Sequence, residues 1–255
     1  MSPNPPAAFG VDIGGSGIKG APVDLRAGRL RTERLRIPTP RPSTPEAVLA
    51  AVGEVLAQFG NPKRFGVTFP GVVKNGTVRT AANVDAGWVD FDAVLALRES
   101  TGADVAVLND ADAAGLAEAR FGAAKGQGGV VIMLTLGTGI GTAVLVDGKL
   151  VPNTELGHLE IDGRDAETRA SDSARGRDDL DWQHWAKRLS KYVRHLEALL
   201  WPDMIIFGGG VSKKSEKWLP LVRHVRTPMV PATLANDAGI IGAALWARER
   251  AGGVR

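Results

Sequence analysis

The chain lacks cysteine altogether, so no disulfide, thiolate zinc site or cysteine nucleophile can exist in it. No apolar run approaches the length of a membrane span, and the opening MSPNPPAA is a proline-rich polar tail without the basic start and apolar core of a signal peptide. A cytoplasmic protein that engages no membrane is expected. A large charge imbalance is missing too. The formal net charge is +3 and the pI about 9.3, a mildly basic balance that points to a local anion site rather than to a nucleic-acid partner. With 44% hydrophobic and 23% charged residues neither disorder nor a membrane class is favoured, and 255 residues suffice for one large domain or two modest ones.

What the chain does have is glycine placed between apolar runs. Val130 to Leu136 stops at Gly137-Thr138-Gly139-Ile140-Gly141 and resumes from Thr142 to Val146, the pattern of a β-hairpin closed by a glycine turn whose N–H groups can face an anion. The loop that follows carries Glu155, His158 and Glu160. Taken alone, the turn is equally a tight hairpin with nothing bound. Near the start, Ala8 to Ile13 reads as a buried strand, Gly14-Gly15-Ser16-Gly17 as a turn, Ile18 to Leu25 as the returning strand and Arg29 to Ile37 as a third. Asp12, the glycine amides, the Ser16 hydroxyl and Lys19 suit a metal-bound phosphate, the amides and Lys19 meeting oxygens and Asp12 holding Mg²⁺ directly or through water. The stretch does not match GxxxxGK[ST], and a glycine hairpin with a solvated Asp and Lys is the plainer alternative.

Further along, Ser43 or Thr44 caps a helix running to about Phe59, and Phe65 to Phe69 is a strand ending in Pro70-Gly71. Asn83 and Trp88 lie in a loop, Trp88 as a packing residue, before a short helix from Phe91 to Ser100. Val105 to Leu108 delivers Asn109-Asp110 to its carboxyl end, ahead of a helix from Ala111 to Phe121. Ligands of α/β proteins collect at such ends, although Asn and Asp are ordinary helix caps as well. The polar segment Asp162 to Asp179 reads as an exposed loop with partial helix. From about Asp179 to Leu200 a helix carries Trp182, Trp185, Leu189, Tyr192, Val193 and Leu196 at helical spacing, with Lys187, Arg188, Lys191 and Arg194 on its other faces. Met204 to Phe207 is a strand ending in Gly208-Gly209-Gly210 before Ser212 opens a helix, which again offers amides to an anion, with Lys213 and Lys214 close by. Met229 to Leu234 is the last strand, and Asn236-Asp237 caps a final helix from Ala238 to about Arg250.

The chain repeats itself weakly. Gly15-Ser16-Gly17-Ile18-Lys19-Gly20-Ala21 recurs as Gly137-Thr138-Gly139-Ile140-Gly141-Thr142-Ala143, and Leu108-Asn109-Asp110-Ala111 has an echo in Ala235-Asn236-Asp237-Ala238. Two related α/β lobes, each opening with a glycine hairpin, would bind a ligand in the cleft between them.

Asp12 to Lys19, Asn109-Asp110, Leu136 to Gly141 and Glu155-Leu156-Gly157-His158 together resemble the ROK family of sugar kinases, in an order and spacing that cover nearly the whole chain. The resemblance implies an α/β fold of two ribonuclease-H-like lobes, that of the actin/hexokinase/Hsp70 superfamily, with an interlobe cleft. A small N-terminal lobe of residues 1–109, with a C-terminal helix of residues 237–255 packing back on it, would face a larger lobe of residues 110–236. It makes Asp110 the base that accepts the proton of a sugar hydroxyl and gives the other hydroxyls to Asn109, Glu155 and His158, with Asn83 and Gly71 beside them. Glu167-Thr168-Arg169-Ala170-Ser171 looks like the E-x-x-A-S/G run that supplies a further sugar-binding glutamate, so Glu167 takes that role and Glu160 is held in reserve. Asp12 with Gly14, Gly15, Ser16, Gly17 and Lys19, and Gly137, Thr138 and Gly139 with Gly209 and Gly210, would surround the transferring phosphate and its Mg²⁺.

One departure narrows the resemblance. Between His158 and Glu167 typical members carry cysteines that bind a structural zinc; this chain has none, so His158 is expected to bind sugar without metal. The short cysteine-free form, with LGHLEIDGRDAE and the charged segment after it, is similar to the polyphosphate glucokinases of actinobacteria. That moves the expected donor from ATP towards inorganic polyphosphate and makes the expected reaction phosphoryl transfer to the 6-hydroxyl of glucose. A polymer would meet further cations, for which Lys187, Arg188, Lys191, Arg194, Lys213 and Lys214 are available. ATP, alone or beside polyphosphate, stays open as donor, and mannose or glucosamine as acceptor. A sugar-sensing repressor of the same family is the rival from another class; such repressors carry an N-terminal helix-turn-helix domain, for which a first strand at about residue 8 leaves no room. A homodimer is the family expectation, with the aromatic face near Trp182 and Trp185 as its candidate surface.

Overall fold

Buried residues along AFGVDIG make the first strand, β1 (Ala8–Gly14), and Gly15-Ser16 turn the chain back into the antiparallel β2 (Gly17–Asp24). The computed structural model describes residues 8–82 and 84–250, so Asn83 lies outside the described residues. The single strand expected from Arg29 to Ile37 is two short ones, β3 (Arg29–Leu30) and β4 (Leu35–Ile37), both paired with β2. Arg31-Thr32-Glu33-Arg34 between them offers no apolar residue to bury, so the ladder breaks there. Helix α1 (Pro45–Ala57) starts where Thr44 accepts the Ala47 N–H and Pro45 occupies a position whose N–H needs no partner. Next come β5 (Arg64–Phe69), the small hairpin β6 (Val73–Lys74) and β7 (Thr77–Val78), α2 (Ala93–Thr101), β8 (Asp104–Asn109) and α3 (Asp110–Phe121).

The remainder runs β9 (Val130–Leu136), β10 (Ile140–Val146), β11 (Lys149–Val151), the ribbon β12 (Glu160–Ile161) and β13 (Arg164–Asp165), then α4 (Glu167–Ala170), α5 (Asp172–Arg177) and α6 (Trp182–Leu200). It closes with β14 (Met204–Gly208), α7 (Ser215–Trp218), β15 (Met229–Pro231) and α8 (Ala238–Glu249). The segment expected to be an exposed loop with partial helix, Asp162 to Asp179, is more regular than that, with β13, α4 and α5 in it, because Ala166, Ala170 and Ala174 are small enough to sink into the core between the charges. The last strand is shorter than the expected Met229 to Leu234; Thr233 and Leu234 give their N–H groups instead to the buried carboxylate of Glu118, at 2.9 and 2.7 Å. Among the described residues no helix is long and apolar enough to cross a membrane.

Contacts divide the chain into two compact units, residues up to Ala113 with those from Asp237 on, and residues 114–236. Each has its own sheet. The first is ordered β3-β2-β1-β5-β8, with β4 also on β2, and the second β11-β10-β9-β14-β15. In both, an antiparallel hairpin is continued by two strands parallel to its first strand, β5 and β8 beyond β1, β14 and β15 beyond β9. One topology used twice is what the repeated glycine hairpins lead one to expect.

In the first unit α8 lies directly on the sheet. Side chains at Gly10 of β1 and Gly66 of β5 would overlap the carbonyls of Ile240 and Ala243, so only glycine lets the helix backbone approach this closely. In the second unit Trp185 and Phe207 both meet Trp218 edge-on, each with ring centroids 5.2 Å apart, and Trp185 donates its indole N–H to the Ala170 carbonyl at 3.0 Å. Trp185 is fully buried in this core, which removes it from the dimer surface expected around it.

Candidate functional site

Three parallel strands of the first sheet bring candidate residues to one edge. Register places Asp12 of β1 beside Thr68 of β5, and Phe69 beside Asn109 of β8. Asp12 and the Asn109-Asp110 pair are therefore two strands apart at the carboxyl ends, about 10 Å at ordinary strand spacing. Asp12 is held from two sides: Lys19 pairs with Oδ2 at 3.2 Å, and the Thr68 hydroxyl donates to Oδ1 at 2.8 Å. Thr68 also accepts the Ile13 N–H at 3.2 Å and is fully buried. Sequence reading passed over Thr68, because a threonine inside an apolar strand is ordinary; its signal is register, which appears only when the strands pair.

Asn109 spends its side chain on structure. Its oxygen accepts the N–H groups of Ala111 and Asp112 at 2.8 and 3.1 Å, capping α3, and its amide donates to the Gly71 carbonyl at 3.1 Å. The capping reading therefore holds for Asn109, and one amide hydrogen is left over. Gly71 gives its N–H to Phe69 and its carbonyl to Asn109, so its loop is fixed from both ends. Asp110 begins α3, half-buried, where the helix dipole favours a carboxylate, and its Oδ1 accepts the Ala111 N–H at 2.8 Å.

The first glycine turn has a brace that sequence reading missed. Arg36 of β4 donates to the Ser16 carbonyl at 2.6 Å, and the Thr39 hydroxyl donates to that of Gly14. A side chain at Gly17 would meet the Arg36 guanidinium, so a second cation stands beside the turn with Lys19. Its place beside the turn follows from β4 pairing with β2, which the expected single strand obscured.

In the second unit Glu155, His158 and Glu167 converge. Thr142 of β10 anchors the loop by donating to the Thr154 carbonyl and accepting the Leu156 N–H, and Gly157 is pressed against the Ile140 carbonyl where no side chain fits. His158 then faces three carboxylates. Its Nδ1 is 2.7 Å from Asp165 Oδ2 and 4.0 Å from Glu167 Oε1, and its Nε2 is 3.9 Å from Glu155 Oε2. The Asp165 hydrogen bond, with the charges of Glu167 and Asp165 behind it, raises the imidazole pKa above its usual 6.5 against the opposing effect of burial. Burial raises the Glu155 carboxyl, His158 pulls it back, and Glu167 adds to the rise. Glu167 also reaches the second glycine turn, its Oε2 accepting the Ile140 N–H at 3.1 Å against Gly139. Asp165, which sequence reading left in a charged loop, orients both partners, since its Oδ1 accepts the Glu167 N–H at 3.0 Å. Glu160 is exposed on β12 and stands outside this cluster.

His158, Asp165 and Glu167 offer ligand atoms within 4.8 Å of one another. Two ligands of one tetrahedral ion with bonds of about 2.0–2.1 Å stand roughly 3.3 Å apart. The 2.7 Å separation of His158 and Asp165 is instead that of a charge-assisted hydrogen bond. The second glycine turn is partly self-satisfied, with Gly137 N–H bonded to Gly139 O at 3.0 Å. Gly209 and Gly210 differ from expectation: Ser212 does not open a full helix. Gly209, at φ 81, leads into a short 3₁₀ turn (Gly210–Lys214) closed by the Ser212 hydroxyl on the Gly209 carbonyl at 2.8 Å, followed only by the four-residue α7. The helix-dipole argument for an anion therefore lapses there. Asp237 likewise makes no cap; its carboxylate pairs with Arg34, and the turn Ala235–Asp237 leads straight into α8.

Residues 8–176 match the ROK family. The chain is 51% identical over 242 residues to a polyphosphate glucokinase of Mycobacterium tuberculosis, covering 93% of this chain and 89% of that one. Among solved structures it is similar to an inorganic polyphosphate/ATP-glucomannokinase from Arthrobacter sp. strain KM, at 52% identity and a TM-score of 0.91 over 96% of this chain and 99% of that one. It is similar also to a ROK family glucokinase from Streptomyces griseus in complex with glucose and AMPPNP, at 25% identity and a TM-score of 0.80 over 95% and 99% of the two chains.

Proposed function

Because the chain belongs to the ROK family, we propose that it transfers the terminal phosphoryl group of inorganic polyphosphate to the 6-hydroxyl of glucose, giving glucose 6-phosphate and a polymer one phosphate shorter. The observation that carries this reading is the gathering of Glu155, His158 and Glu167 into one cluster beside a glycine turn. Such a set serves the hydroxyls of a sugar, whereas a site for phosphate alone has no use for so many carboxylates. The identity to a polyphosphate glucokinase over nearly the whole chain supports the donor, and the Arthrobacter relative supports ATP as a second donor and mannose as a second acceptor.

Asp110 is the base. As the 6-hydroxyl oxygen bonds to phosphorus and the bond to the leaving polymer breaks in line, its proton passes to the Asp110 carboxylate and from there to solvent. The Ala111 N–H, bonded to its Oδ1, and the start of α3 hold that carboxylate in place. Glu155, His158, Glu167 and the remaining Asn109 hydrogen fix the other hydroxyls; Gly71 acts through Asn109, whose amide it anchors. The Thr138 and Gly139 amides, free of the bonds made by Gly137 and Ile140, would meet phosphoryl oxygens, as would Lys19, Arg36 and the amides of the first turn. Asp12 has Lys19 on one oxygen and Thr68 on the other, with lone pairs to spare, so it suits a divalent cation held through water. Mg²⁺ is that cation in this proposal and would neutralise charge on the transferring oxygens. A homodimer in the cytoplasm completes the reading.

Asp110→Asn keeps the shape and removes the base. Turnover should fall about 10²- to 10⁴-fold, while calorimetry still detects glucose binding. Near-normal turnover in that variant would remove Asp110 from the role.

A further inference from the structure

Helix α6 from Lys187 to Ala198 and the loop of residues 221–226 line a groove of about 870 Å³ whose charge is one-sided. Lys187, Lys191 and Arg194 line it from the helix, and Arg223, His224 and Arg226 from the loop. On the helix the three cations recur at the spacing of one face. The carboxylate among the lining residues, Glu197, is committed elsewhere: it is 6% exposed and accepts the N–H groups of Arg226 and Thr227 at 2.8 and 2.7 Å and the Thr227 hydroxyl at 2.8 Å. Ser190, 8% exposed, accepts the Arg223 N–H at 3.0 Å. Two buried polar groups of α6 thus clamp the loop backbone against the helix, and His224 is held at φ 61, a conformation that a non-glycine residue keeps only where its surroundings impose it. The cations are presented by a fixed frame.

They are also largely unneutralised. The side chains of Lys187, Arg194 and Arg223 make no ion pair among the described residues. Lys191 pairs with the exposed Asp162, and Arg226 lies over the Trp201 ring at 4.3 Å as well as near Glu197. Like charges lining one groove repel, and an anion that fills it relieves the repulsion. The groove is large for a single phosphate and suits an extended polyanion. We propose that it is a subsite for the distal part of the polyphosphate donor, separate from the site of transfer, since neither glycine turn of the second unit contributes to its lining. This rests on polyphosphate being the donor. A polymer reaching the groove releases counterions from a row of cations, so its affinity grows with chain length and falls steeply with salt.

The test compares the wild type with Lys187→Ala/Arg194→Ala/Arg223→Ala, using a long polyphosphate and the shortest one the wild type accepts. The KM for the long polymer should rise about tenfold or more, as for lost charge-assisted contacts, and its log–log salt slope should flatten by about one for each cation removed. The KM for the short donor and for glucose should hold, and Arg223→Lys alone should behave as wild type. An unchanged KM for the long polymer overturns the subsite. So does an equal rise for both donors, and so does a nucleic-acid oligonucleotide of equal charge binding more tightly than polyphosphate in fluorescence anisotropy. A wild type that uses ATP and no polyphosphate at all overturns the donor reading first, before any variant is made.

Discussion

At neutral pH the ring of His158 faces the carboxylates of Asp165, Glu155 and Glu167, and the nearest of them governs its protonation. A histidine whose folded pKa is raised contributes stability that is fully present below the ordinary value and is lost as pH rises through the folded one. Asp165→Asn keeps the oxygen that accepts the Glu167 N–H and removes the charge. His158 should then titrate at lower pH by NMR of its ring protons, and the stability lost by the variant should be largest below about pH 6.5 and shrink above it. An unmoved titration would show that Asp165 does not set it. Glu155, His158 and Glu167 were legible because they sit in short motifs. Asp165 and Thr68 were not: one looked like a charge in a loop and the other like a polar residue in a strand, and their work depends on neighbours far along the chain or across a hairpin. Arg36 was hidden by the misread break between β3 and β4.

Elements were legible where capping chemistry is local. Thr44 accepts the N–H expected of a cap, and α1 begins beside it; the cap of α6, Asp181, was not singled out, and that helix starts at Trp182 rather than about Asp179. Asp237 looked the same as Thr44, yet its side chain makes no cap hydrogen bond, because Arg34, far away in sequence, takes its carboxylate. Ser212 was misread as a helix start, since a serine shortly after a glycine run signals a turn as readily as a helix. The seating of α8 on β1 and β5 is the least visible feature in the sequence, where Gly10 and Gly66 are only gaps in apolar strands. Gly66→Ala should cost about 3 kcal/mol or more, since its Cβ would overlap the Ala243 carbonyl and neither backbone can yield cheaply. Gly53→Ala, in α1 with open space around it, should be neutral or gain about 0.5–1 kcal/mol. Urea denaturation distinguishes them, and equal stability of the two variants would mean that α8 does not rest on β5.

On the scale of the whole molecule, two units share one sheet topology and the fold is that of the ROK sugar kinases, the two-lobe fold of actin, hexokinase and Hsp70. The repeated hairpins made the duplication readable, because a glycine turn between a long antiparallel pair survives divergence better than the apolar residues around it, which need only keep their volume. The donor is different in kind. No single residue encodes it: a phosphate turn serves ATP and polyphosphate alike, and the distinction lies in what receives the rest of the donor. Purified protein given glucose, Mg²⁺ and nucleotide-free polyphosphate, with glucose 6-phosphate followed by a coupled dehydrogenase, measures this directly. Sustained glucose 6-phosphate formation with shortening of the polymer is the expected result; product formed with ATP but none with polyphosphate would contradict it.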